Sequence, residues 1–147
     1  MRQRTLAVLT EVPAAVRTVI PPGLRNNLHW QAGHIVTVQA SLLYLRSGLP
    51  PFLNESYFTA FAKGTSPAVW TGEEPSYEQI LTQLNSSIPL LAADITRFAD
   101  TRYPAPITAS TGDTLTSFAE ALRFLPIHEA IHQGAIATMV RILGVKS

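Results

Sequence analysis

The chain reads as an all-α protein, a four-helix bundle with long crossover connections, in one domain spanning residues 1–147. Three observations predict this. Apolar residues recur at helical spacing in four separate stretches. Pro- and Gly-rich breaks divide those stretches, and two of the intervening connections are long enough to cross the bundle. At 147 residues and 46% hydrophobic, the chain has the apolar surface for one real core.

The first stretch, Arg2 to Ile20, carries Leu6, Val8, Leu9, Val12, Val16 and Ile20 near helical spacing and stops at Pro21-Pro22-Gly23. The second starts at Asn26-Asn27, whose side chains suit the free N–H groups of a helix start, and runs to Ser47 ahead of Gly48. Its stripe of Gln31, His34/Ile35, Val38, Leu42 and Leu45 has the period of a bundle helix. Residues 48–75 form a connection rich in Pro, Gly and aromatics, with a short helix expected over Glu55–Ala62.

Ser76 followed by Gln79 is a capping-box pattern that opens the third helix, which continues to Asp100 through Pro89, an expected kink. Thr101–Thr114 is a second connection, read as extended in part. The fourth helix is expected over Leu115–Leu143, with Gly144 as its stop. Inside it, the ring of Pro126 crowds the carbonyl of Leu122 and opens the helix two residues before His128.

His128 and His132 stand one helical turn apart, which puts both imidazoles on one face about 5–6 Å apart at Cβ. Two rings so placed can share one divalent ion at about 2.0–2.1 Å per nitrogen. The segment His128-Glu129-Ala130-Ile131-His132 also matches the HExxH pattern of zinc peptidases, where the Glu is the general base. The context of that motif is missing. Ala135 and Thr138 stand where its longer form needs Gly and a third His, and no Asp or Glu follows Glu129. A third ligand must therefore come from upstream, and the two other histidines are His29 and His34. They point about 140° apart on a helix, so only one faces the pair. His34 lies on the apolar stripe, well inside its helix, and is the choice; His29 falls in the first turn. No catalytic residue is assigned. Glu129 is the one candidate, either as a base or as a group supporting a ligand, against the plain reading of a solvated side chain. Trp30, Tyr57 and Phe61 are candidates to line a pocket, with core packing the simpler role for each.

These segments resemble the DinB-like metalloenzyme superfamily, the damage-inducible and bacillithiol-transferase-related group. Asn26-Asn27-Leu28-His29-Trp30-Gln31-Ala32-Gly33-His34-Ile35 is similar to its first ligand segment, with Trp three residues before a Gly-His-hydrophobic step. Leu125-Pro126-Ile127-His128-Glu129-Ala130-Ile131-His132-Gln133-Gly134 is similar to its second, a His-x-x-x-His-x-Gly element. The resemblance covers nearly the whole chain. It implies a DinB-like four-helix bundle, a homodimer, and three histidine ligands, carried over to His34, His128 and His132. Characterised relatives include transferases that join low-molecular-weight thiols to electrophiles and a mycothiol-dependent maleylpyruvate isomerase. Two departures stand out. Ala135 replaces the Gln that often follows the second segment's Gly, and the first segment begins so early that helix one is expected to be short.

Three neutral imidazoles leave an ion its full charge and open positions, the pattern of a catalytic rather than a structural site. Imidazole suits zinc or nickel first and iron next. Two classes follow: a metal-dependent transferase or hydrolase that activates a low-molecular-weight thiol or water for a small-molecule substrate, or a non-catalytic metal-binding bundle acting in stress response or protein interaction. A net charge of +1 with scattered Lys and Arg argues against nucleic acid, and the absence of Cys excludes disulfides and thiolate ligands. No apolar run approaches the roughly 18 residues of a membrane span and nothing resembles a signal peptide, so the expected location is cytoplasmic. Val8, Val12, Leu81 and Leu91 are apolar positions available to a two-fold interface.

Overall fold

Proline decides where the first helix stops. The computed structural model describes residues 1–145, and in it the expected helix over Arg2–Ile20 is two helices, α1 (Arg2–Thr10) and α2 (Ala14–Arg17). Pro13 lies between them with φ −61° and ψ 142°, an extended conformation. It has no N–H to give to Leu9, and its ring would crowd that carbonyl if the helix continued.

Asn27 starts α3 (Leu28–Leu43) by accepting the Trp30 N–H at 2.8 Å, the capping role read from the sequence. A 3₁₀ turn, Leu45–Ser47, follows α3 and closes on Gly48, whose φ of 72° is left-handed. The connection beyond holds α4 (Glu55–Phe61) and a second 3₁₀ turn, Pro67–Val69. The capping box at Ser76 and Gln79 is formed and opens α5 (Tyr77–Phe98), which runs on through Pro89.

The second connection differs from the all-α expectation. Arg102–Thr108 (β1) and Thr114–Ser117 (β2) pair as a two-stranded antiparallel sheet, so the protein is mostly helical with a small hairpin. The ladder is irregular between Arg102 and Ile107, where Pro104 and Pro106 lack the N–H groups a regular ladder needs. The Tyr103 hydroxyl donates to the Leu42 carbonyl at 2.5 Å and ties the hairpin to the end of α3. The last helix, α6 (Phe118–Ile142), therefore starts three residues later than expected, with Ser117 capping Glu120, and it passes through Pro126.

Helix α3 is central. It packs against α4, α5 and α6, while α1 packs against α5. One apolar cluster joins Leu9, Val12, Leu28, Ile35, Phe61, Ile80, Leu84 and Ile136; a second joins Leu43, Tyr44, Tyr103, Leu115, Phe118 and Phe124. Each such side chain, fully buried, contributes about 1.5–3 kcal/mol. Of the positions considered for a two-fold interface, Val12 is core, Leu81 and Leu91 pack against the two clusters, and Val8 is exposed. No helix among the described residues is long and apolar enough to cross a membrane.

A polar network joins the four long elements. The Arg2 guanidinium donates to both Glu129 carboxylate oxygens on α6 at 3.1 Å, to the Leu84 carbonyl and Ser87 hydroxyl on α5, and to Gln39 on α3 at 2.9 Å. The Thr5 hydroxyl donates to Glu129 at 2.6 Å and accepts from Gln133 at 2.6 Å. Removing one partner leaves a buried charge without compensation. Arg2→Ala is expected to lower stability by about 3–5 kcal/mol in urea denaturation at neutral pH. A loss below about 1 kcal/mol would place this pair with exposed ones.

Candidate metal centre

The site forms where the second turn of α3 faces the middle of α6. His34, His128 and His132 each offer a ring nitrogen, and these three atoms lie within 4.8 Å of one another. Ring centroids are 4.5 Å apart for His128–His132, 4.8 Å for His34–His132 and 5.3 Å for His34–His128. A tetrahedral ion at about 2.0–2.1 Å from each nitrogen needs separations near ~3.4 Å, so the rings would close inward slightly to hold one.

Local structure fixes two of the three rings. His34 Nδ1 is 2.7 Å from the Phe61 carbonyl. A carbonyl only accepts, so Nδ1 carries the proton and Nε2 keeps its lone pair. Phe61 is the last residue of α4, where carbonyls lack helical partners, and its oxygen is free for this purpose. The approach of α4 depends on Gly33, because a Cβ there would sit 2.4 Å from the Phe61 ring. Trp30, one turn before His34, stacks on its imidazole at 4.4 Å with 13° between planes, and its indole N–H donates to Thr65 at 2.9 Å. His132 Nδ1 is 2.6 Å from Gln31 Oε1, which fixes its proton in the same way and leaves Nε2 free. His128 differs: its Nδ1 is buried and has no hydrogen-bond partner. Three convergent imidazoles, two of them with their outer protons fixed, fit a divalent ion.

Burial sets the charge. It pushes the His128 ring down to about 4, reinforced by His34 and opposed by the Glu129 carboxylate. It pushes His132 down to about 3, reinforced by His34 and then His128. His34 is also lowered by burial, against the Phe61 hydrogen bond. All three are neutral at neutral pH, the form that binds metal.

The other candidates separate. His29 stays outside the cluster, with Nε2 2.8 Å from the Pro75 carbonyl and its ring among Phe61, Trp70 and Tyr77. Tyr57 and Phe61 are core, whereas Trp30 lines the cleft above the histidines. Glu129 is neither solvated nor in that cleft. It is buried and bound by Arg2 and Thr5, and it lines a different, smaller groove with Gln39 and Ser87. Gln31 and the Phe61 carbonyl are the supporting groups that sequence reading missed. Gln31 had a local signal, standing one turn before His34 on the same stripe, whereas the Phe61 contact comes from the return of a distant loop.

The histidines open onto a cleft of about 640 Å³, walled by Phe58, Phe124 and Ile131 and lipped by hairpin residues Ile107–Ser110. The volume is that of a small-molecule site. Fold and site together define a helical protein with a three-histidine centre that can hold a metal ion. The family model of the DinB superfamily matches residues 1–136, and the chain belongs to that family. No curated protein matches the chain.

Two outcomes follow. Gly33→Ala gains about 1 kcal/mol of helix propensity but overpacks α4 by about 1–3 kcal/mol. The expected result is a net loss of stability in urea denaturation and, in the NMR spectrum, loss of the His34 Nδ1–H resonance that the Phe61 carbonyl protects. The second concerns pH. The folded rings titrate below the unfolded value of 6.5. Between there and about pH 4 the unfolded chain therefore binds protons that the folded chain refuses, and stability falls as pH drops through that window. Metal-free protein should lose melting temperature from pH 7 towards pH 4.5 more steeply than a His128→Asn/His132→Asn variant. Parallel curves would argue against buried neutral rings.

Proposed function

We propose that the protein is a metal-dependent enzyme in which His34, His128 and His132 hold one divalent ion, zinc or nickel first and iron next, and that it activates a low-molecular-weight thiol or a water for transfer to, or hydrolysis of, a small-molecule substrate. One observation carries this reading: three neutral imidazoles converge from two helices with one side open to a cleft. A structural site would be closed by a fourth protein ligand, and no fourth His, Cys, Asp or Glu joins the cluster among the described residues.

When bound, a divalent ion supplies positive charge that brings a thiol or water towards its deprotonated form at neutral pH. The chain's own residues do the rest. Gln31 and the Phe61 carbonyl hold protons on the outer nitrogens of His132 and His34, and Trp30 holds the plane of His34. Phe58, Phe124 and the hairpin residues give the cleft its apolar walls. Glu129 takes no part in the chemistry in this reading, because Arg2 and Thr5 occupy its carboxylate.

Protein purified without chelator or affinity tag is expected to carry close to one equivalent of divalent metal. Because metal binds only the folded state, stripping it should lower stability by about 2.7 kcal/mol when metal stands at a hundredfold excess over its dissociation constant. His34→Ala should abolish that response, and Gln31→Leu should weaken metal affinity about 10–100-fold. Transfer of thiols to an electrophile, assayed over several low-molecular-weight thiols, should be lost on stripping and return with metal. A melting curve unchanged after verified metal removal would sink the reading; a metal response without turnover would leave a metal-binding bundle.

A further inference from the structure

Besides the histidines, the cleft is lined by two cationic side chains, Arg46 and Lys63, and by no carboxylate among the described residues. Among the described residues neither cation has an ion-pair partner, in contrast to Arg2 and Arg17, which pair with Glu129 and Glu78. The floor of the cleft is one stripe of α3 and the turn after it: His34, Thr37, Val38, Ser41, Leu42 and Arg46 follow at spacings of about three to four residues. Arg46 therefore stands at the far end, in the 3₁₀ turn beyond the last residue of α3. Lys63 stands at the near end, two residues after the Phe61 carbonyl that holds His34.

Between them lies an unusual hydroxyl. Thr37 is 1% exposed and its Oγ1 has no hydrogen-bond partner. A threonine inside a helix ordinarily satisfies its hydroxyl on the carbonyl one turn back, and leaving it buried and unpaired is unfavourable. Thr37 belongs to the floor of the cleft, with its Oγ1 covered just beneath the surface. The walls on either side, Phe58, Ile107 and Phe124, are apolar. A slot with positive charge at both ends, hydroxyls on its floor and apolar sides selects by charge as well as shape.

We infer that the cleft takes an elongated organic anion, with its oxyanion group (carboxylate or phosphate) on Arg46, its middle between the apolar walls of Phe58, Ile107 and Phe124, and its reacting end at His34, His128 and His132. The planar guanidinium suits either oxyanion through paired N–H donors. The placement of the reacting end rests on the proposed metal centre; the placement of the anion on Arg46 does not.

The test compares three probes that differ only in the distal group: mercaptohexanoate, mercaptohexyl phosphate and uncharged mercaptohexanol, titrated calorimetrically into the zinc-loaded full chain at physiological ionic strength. At least one anionic probe is expected to bind tenfold or more tightly than the alcohol, and whichever anion binds better identifies carboxylate or phosphate as the group recognised. Arg46→Gln should bring the anion-to-alcohol ratio close to one while zinc stoichiometry and affinity for the alcohol stay unchanged. Arg46 is exposed, so the variant should fold. Repeating the titration on chelator-stripped protein separates the two readings. Absence of metal binding lowers the affinity of all three probes together, whereas the anion preference remains if Arg46 provides it. A ratio near one in the wild type, a ratio that Arg46→Gln leaves unchanged, or no binding of either anion by either form would overturn the inference.

Discussion

The rotational setting of α6 is the constraint on which the site depends. Residues one apart on a helix differ by about 100° in direction, so a modest roll of α6 would carry His128 and His132 away from His34. The chain prevents that roll from behind. Glu129 and Gln133 each follow one of those histidines by a single residue, and both bond to the Thr5 hydroxyl on α1, which donates to the carboxylate and accepts from the amide. Arg2 then ties Glu129 to α5 and α3 through Leu84, Ser87 and Gln39. A charged pair in this position requires near-complete hydrogen bonding to be tolerated, and that demand makes the setting specific.

The front of the site is organised by α3 with equal economy of residues. Asn27 caps the helix on the Trp30 N–H, and the Trp30 ring then stacks on His34 one turn further on. Gln31 reaches across to His132, and Gly33 lets α4 come close enough for the Phe61 carbonyl to meet His34. Within Asn27–His34, then, one stretch of about two turns starts the helix, supplies one histidine of the cluster and orients another. Its glycine matters by what it leaves out. Gly134, in the second segment, has nothing within 4 Å of where a Cβ would stand, so packing within this chain does not explain it.

What the sequence revealed was mainly what neighbouring residues decide among themselves. The cap at Asn27, the capping box at Ser76 and Gln79, and the one-turn spacing of His128 and His132 all follow from contacts within a few residues. The choice of His34 over His29 also followed from helix phase, since the two point in different directions. Features decided by distant partners were hidden. Arg2 near the start of α1 reads as a surface cation until three other helices are seen around it. The pairing of β1 with β2 links Ile107 to Leu115 across a turn whose sequence, broken by Pro104 and Pro106, does not alternate cleanly. Pro13 is a different case: the apolar spacing of Leu9, Val12 and Val16 runs straight across it, and periodicity says nothing about a missing N–H. Arg46 and Lys63 had no signal at all, because only the return of the loop and hairpin puts them in the cleft of the histidines.

The same geometry explains why His-Glu-Ala-Ile-His here is not a peptidase centre in miniature. In an HExxH enzyme the Glu must reach the reacting side of the metal to serve as base. Glu129 is turned towards α1, where both carboxylate oxygens accept from the Arg2 guanidinium and one also accepts from Thr5. Its lone pairs are thus engaged on the far side of the helix from the cleft, and freeing them would break the contacts that set α6 in place. Catalysis and positioning compete for this residue, and the fold has given it to positioning. The cleft beside the histidines offers cations and hydroxyls but no carboxylate among the described residues, so nothing there stands in for the Glu of an HExxH centre.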